Sequence, residues 1–160
     1  MKIFGKPLTD YIRFERYYLL LILVVGLARL GLSLAKVPNT VDKFLSLTVL
    51  ELFGFLFYSV YVYTSGFGSY RNLYPVILLQ WVVSQAIIVS GIAISIFTNE
   101  DNIFSAPEFS PNKQSGRTWG HAVAHLIVIV IAPLILWLIG CLIMLITKKI
   151  APRRSAAEHG

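Results

Sequence analysis

One cysteine, Cys141, is all the thiol that this 160-residue chain contains. An intrachain disulfide is therefore excluded, no Cys-x-x-Cys redox pair exists, and cysteine usage says nothing of the compartment. The lone thiol falls inside an apolar run, where it reads as a small packing residue. Charge is scarce as well: Asp, Glu, Lys and Arg make up 14% of the residues, against about 25% in an ordinary soluble domain. There is no glycine-rich phosphate loop and no Ser-His-Asp set, so neither ATP hydrolysis nor serine-type acyl transfer finds support. His121 and His125 enclose Ala122, Val123 and Ala124, so the H-E-x-x-H pattern of zinc peptidases, with its general base, is missing too.

What fills the chain is hydrophobic side chain, 56% of it. The excess is not spread evenly but falls into four blocks, 17–35, 44–63, 75–97 and 122–147. Each is long enough to cross a hydrocarbon layer of about 30 Å at about 1.5 Å of helical rise per residue. The expectation is an all-α integral membrane fold: a four-transmembrane-helix bundle forming a single membrane domain over 1–160. The first block carries Arg29, and no small-residue cleavage site follows it. It reads as a retained helix rather than a cleaved signal peptide.

Net charge is +6, and its placement decides its meaning. Lys2, Lys6, Arg13 and Arg16 precede the first block; Lys148, Lys149, Arg153 and Arg154 follow the last. No basic stripe with interleaved aromatics appears, which speaks against nucleic acid and for lipid headgroups as partners. With the N-terminus inside, segments 1–16, 64–74 and 148–160 hold nine basic residues, against four in segments 36–43 and 98–121. The positive-inside rule then puts both termini in the cytoplasm, in what reads as a bacterial cytoplasmic (inner) membrane.

The longest connection, 98–121, lies on the outer side in this topology. A loop of that length is usually functional or disordered. Ile103, Phe104 and Phe109 could fold it onto the bundle, with Glu100, Asp101 and Glu108 as candidate lid residues. Thr9 or Asp10 is expected to cap a short interfacial lead-in to the first span. Pro75 suits the first position of the third helix, and Pro133 predicts a kink in the fourth. Gly31 with Ala35, Gly91 with Ser95, and Ala132 with Gly140 are small residues that permit close helix approach.

Ionisable groups inside a bilayer are expensive and normally partnered. Arg29 and Glu51 come to similar depths, roughly 9–11 Å below the outer edge at helical rise. Helices joined by a short connection tend to be neighbours, so an Arg29–Glu51 ion pair is expected. His121 and His125 share one helix face at the same end. Arg29, Glu51, His121 and His125 thus form an intramembrane polar cluster in the outer half. Histidines at i and i+4 can share a metal, with Glu51 as a third ligand. Two axial histidines on opposite faces of one haem are excluded, because both stand on one face of one helix. A haem or pigment held by one His, or a quinone-like ligand, stays open; otherwise His125 hydrogen-bonds within the bundle, with Glu51 a candidate partner. Gln80, Ser84 and Gln85 read as interhelical hydrogen-bonding groups. The leading function class is a non-enzymatic subunit or accessory of a membrane complex, with other subunits or a second copy as partners. The alternatives are a membrane enzyme or redox subunit, and a proton- or cation-coupled carrier.

Overall fold

The structure, a computed structural model, describes residues 2–38, 46–107 and 114–151. Within them the chain runs through a two-residue hairpin, β1 (Lys2–Ile3) and β2 (Lys6–Pro7), then α1 (Leu8–Leu34), α2 (Leu47–Thr64), α3 (Tyr70–Thr98) and α4 (Trp119–Ile150). All four helices are long and apolar enough to cross a membrane. The start of the block expected at 44 and the candidate lid residues Glu108 and Phe109 lie outside the described residues.

Local signals set the helix ends. Ser46 caps α2, its hydroxyl accepting from Val49 N at 3.3 Å. Asn72 Oδ1 accepts from Ser69 N at 3.0 Å at the start of α3. Thr118 caps α4, its hydroxyl accepting from His121 N at 3.1 Å. Each bond satisfies one of the orphan donors of a first turn. Asn99 closes α3 in the left-handed region with φ 58°. Two expectations are corrected here. Helix α1 starts at Leu8 behind Pro7 with no side-chain cap, so Thr9 and Asp10 lie within it and the charged lead-in is the helix itself. Helix α3 starts at Tyr70, which puts Pro75 inside it. Near a helix start the missing N–H forfeits a single backbone bond, which the packed surroundings of Pro75 tolerate.

Helix α3 is the hub. It packs against α4, α1 and α2, whereas α1 and α2 touch each other only slightly. The bundle is inverted relative to a soluble protein. Leu20, Phe53, Phe97, Val130 and Leu142 are among many large apolar side chains on its exterior. Glu15, Glu51, Gln80, Ser84 and Gln85 are buried. At the end where α1 starts and α4 finishes, Tyr11, Phe55, Tyr58, Val62, Leu73, Val76, Ile77 and Met144 form the main apolar core. Small residues admit the tightest contacts there and above. A Cβ on Gly140 would stand 2.8 Å from both Leu73 and Ser59, and one on Gly91 would stand 2.5 Å from Phe104. Gly31, by contrast, meets nothing within 4 Å, so it makes no close approach.

Gly54 is the most constrained of these positions, because a Cβ would come within 2.4 Å of both Gln80 Oε1 and the Tyr18 ring. Overpacking of this kind destabilises by about 1–3 kcal/mol. Gly54→Ala is therefore expected to lower the thermal midpoint of the purified protein. Gly31→Ala, which adds the same methyl to open space, should raise stability by up to about 1 kcal/mol through helix propensity. Equal midpoints for the two variants would contradict this packing.

Candidate functional site

The site is at the end of the bundle opposite the start of α1 and begins with the connection between α3 and α4. Its first half folds down onto the helices. Ile103, Ala106, Asn102 and Ser105 are all buried. Asn102 Nδ2 donates to Gly91 O on α3 at 2.6 Å, and its Oδ1 accepts from Phe104 N at 3.0 Å. Ile103 N donates to Ser33 Oγ on α1 at 2.8 Å, and Ser95 and Ser105 hydroxyls meet at 2.7 Å. Buried polar atoms in such a place need partners, and this segment carries its own. Phe104 wedges into the space that Gly91 leaves.

The second half of the connection is tied to the first by Arg117. Its guanidinium makes an ion pair with Asp101 at 3.2 Å and donates to Asn99 Oδ1 at 2.9 Å and to Asn99 O. Ser115 Oγ donates to Asp101 Oδ1 at 2.6 Å, and Gly116 N to Ser105 O at 2.7 Å. Glu100 pairs with Lys36 beyond the end of α1 at 3.3 Å, both ends well exposed. Of the candidate lid residues, Asp101 thus organises the fold of the loop and Glu100 a surface contact.

Beneath this roof is a cavity of about 520 Å³. Arg29 of α1, Thr48 of α2, Ile88 of α3, and His121 and His125 of α4 line it, with Phe104, Ser105, Gln114, Ser115, Gly116 and Thr118 from the loop. A larger cavity of about 660 Å³ lies on the other side of the loop. Its charged walls, Lys36, Glu100, Asp101 and Arg117, are already engaged in the ion pairs above. The histidine-lined cavity is the better candidate.

Three of the four expected cluster residues therefore share one cavity. Glu51 does not line it: it is buried one turn below, on the face of α2 that Leu47 begins. Ser84 of α3 approaches the Glu51 carboxyl there, yet Glu51 Oε1 and Ser84 Oγ each lack a hydrogen-bond partner. The expected Arg29–Glu51 ion pair is not formed; ion pairs among the described residues are Lys36–Glu100 and Arg117–Asp101. The reason lies in the packing. α1 leans on α3 rather than α2, and the Arg29 guanidinium sits 5.7 Å from the centre of the Phe104 ring, a cation–π distance. His125 bonds not to Glu51 but to Gln85, Nδ1 to Oε1 at 2.6 Å. His121 Nδ1 faces Gly116 O at 2.9 Å, and the two Nε2 atoms are 3.1 Å apart. Among the described residues no third His, Cys, Asp or Glu stands with this pair, so Glu51 does not complete a ligand set.

One buried ionisable group escaped the sequence reading. Glu15, assigned to the charged lead-in, is 1% exposed, and its Oε2 accepts from Gln80 Nε2 at 2.9 Å. The signal was its spacing: Tyr11, Glu15 and Ile22 fall on one stripe of α1 and all are buried. Gln80 and Gln85 do serve as interhelical hydrogen-bonding groups. The chain matches no known protein family, no curated protein and no solved structure.

Removing the Asn102 side chain tests whether the roof is held as described. Asn102→Ala leaves Phe104 N without its acceptor, at about 1–3 kcal/mol for a buried donor. Hydrogen exchange of the 103–105 amides is expected to quicken about tenfold or more, with the α3 amides below Ser84 unchanged. Unaltered protection at 103–105 would refute the docked loop.

Proposed function

We propose that this protein is a non-enzymatic membrane component, a subunit or accessory of a larger assembly, that holds a small polar ligand in the histidine-lined cavity. The cavity carries the reading. Polar groups from α1, α2 and α4 converge on it under a roof fastened by its own hydrogen bonds. Three of the hydroxyls lining it are committed to structure: Ser105 to Ser95, Ser115 to Asp101, and Thr118 to the α4 cap. That favours binding over turnover, since a nucleophile needs a free hydroxyl beside a base. In this reading the basic flanks keep both termini cytoplasmic, and the cavity opens on the far side of a bacterial inner membrane. The long exposed apolar flank of α4, from Val123 to Ile146, then meets lipid or a neighbouring subunit.

A second reading, a proton- or cation-coupled carrier, draws on a separate observation. Glu15 Oε1, Glu51 Oε1 and Ser84 Oγ are all buried without a hydrogen-bond partner, which a purely structural bundle has reason to avoid. Gln80 lies between Glu15 and Gly54, one turn from Ser84, so these groups succeed one another along the bundle.

Native mass spectrometry of the protein released from nanodiscs separates these readings. The accessory reading expects a small ligand or a partner at fixed stoichiometry. Thr48→Trp, which fills the cavity from its exposed rim, should lose the ligand. A bare monomer from wild-type membranes would refute it. For the carrier, liposomes under a pH gradient should discharge faster with wild type than with Glu51→Gln; equal rates would exclude that reading.

A further inference from the structure

The hydrogen bonds of the histidine pair admit a count. A carbonyl oxygen only accepts, so with the Gln85 amide turned to present Oε1 the two Nδ1 atoms that face Gly116 O at 2.9 Å and Gln85 Oε1 at 2.6 Å both carry hydrogen. A neutral imidazole has one N–H, which leaves an unprotonated Nε2 on each ring. Those two nitrogens stand 3.1 Å apart. Two lone pairs at that distance repel, and with both Nδ1 atoms donating the arrangement closes around a positive charge, a shared proton or a metal ion.

We propose that His121 and His125 bind one divalent transition-metal ion of the zinc class through their Nε2 atoms, with its remaining coordination positions open to the cavity. Three observations carry this beyond a shared proton. First, two nitrogens each about 2.0–2.1 Å from a tetrahedral ion stand about 3.3 Å apart, close to the 3.1 Å seen. Second, both rings present the outer support typical of metal-bound histidine, Nδ1–H donated to a fixed carbonyl. Third, the supports are rigid: Gly116 N is bonded to Ser105 O at 2.7 Å, Gln85 is buried in α3, and the Thr118 cap fixes the first turn of α4. The pair also borders a space of about 520 Å³, ample for a further ligand on the ion. Imidazole donors suit zinc, copper, nickel and iron rather than magnesium or calcium. This inference rests on the cavity reading above and names what the cavity takes.

The test uses the full chain in nanodiscs, stripped with a chelator and titrated with Zn²⁺ by calorimetry, with Co²⁺ as an optical probe. One Zn²⁺ per chain is expected, together with intense visible Co²⁺ bands of a four-coordinate, nitrogen-ligated ion. His121→Asn with His125→Asn should abolish both signals. Gln85→Leu should weaken Zn²⁺ binding about tenfold, as loss of an outer acceptor does, whereas Gln85→Glu, which keeps an acceptor, should not. No saturable binding by wild type, an aqueous-type Co²⁺ spectrum, or binding that survives the double histidine change would overturn the proposal. Loss on Gln85→Glu equal to that on Gln85→Leu would overturn it too, because His125 Nδ1 would then be accepting. The wild-type Co²⁺ spectrum depends on no variant folding. A negative metal result leaves the mass-spectrometric test of the cavity intact, so the two failures are distinguishable.

Discussion

Polar atoms within hydrocarbon have no water to turn to, and each one left unpaired costs several kcal/mol. Most of this structure answers that constraint. The backbone meets it by being helical along nearly its whole apolar length. The side chains meet it on α3, where Asn72, Gln80, Gln85 and Ser95 face inward and each reaches a partner from another part of the chain. A helix that carries polar groups along its length must be surrounded, so α3 becomes the hub and the other three helices take their places around it.

The same constraint shapes the loop-end site. An inserted connection brings its own N–H and C=O groups, and each needs an acceptor or donor. Asn102 and Ser105 supply several of them, and Ser33 and Gly91 receive the segment from α1 and α3. Over its described residues, the loop that Ile103 and Phe104 were expected to fold onto the bundle is a fitted part of it. The cavity beneath exists because the loop comes down between α1 and α3 and leaves the first turns of α4 bordering open space.

The four long apolar blocks were legible residue by residue, because a bilayer demands length and hydropathy and both are local properties. Helix starts proved longer than expected at α1 and α3. Tyr11 and Glu15 continue the buried stripe of α1 below the apolar run, and hydropathy alone does not register a stripe. The grouping of Arg29, His121 and His125 was legible from depth, since helical rise converts sequence distance into height. Their partners were not. Height does not give the rotation of one helix against another, and α1 packs on α3 rather than on the helix that follows it in sequence.

The sequence by itself determined the class of this protein: four apolar helices, their approximate ends, and a polar group of residues gathered at one end. Only the tertiary structure decided that Glu51 faces Ser84, that Arg29 lies over Phe104, and that Gly116 and Gln85 hold the histidines nitrogen to nitrogen. The physical reason is that hydrophobic burial is fixed by composition along a single helix. Hydrogen bonds between side chains form or fail on a few ångströms of relative placement, which only the assembled bundle specifies.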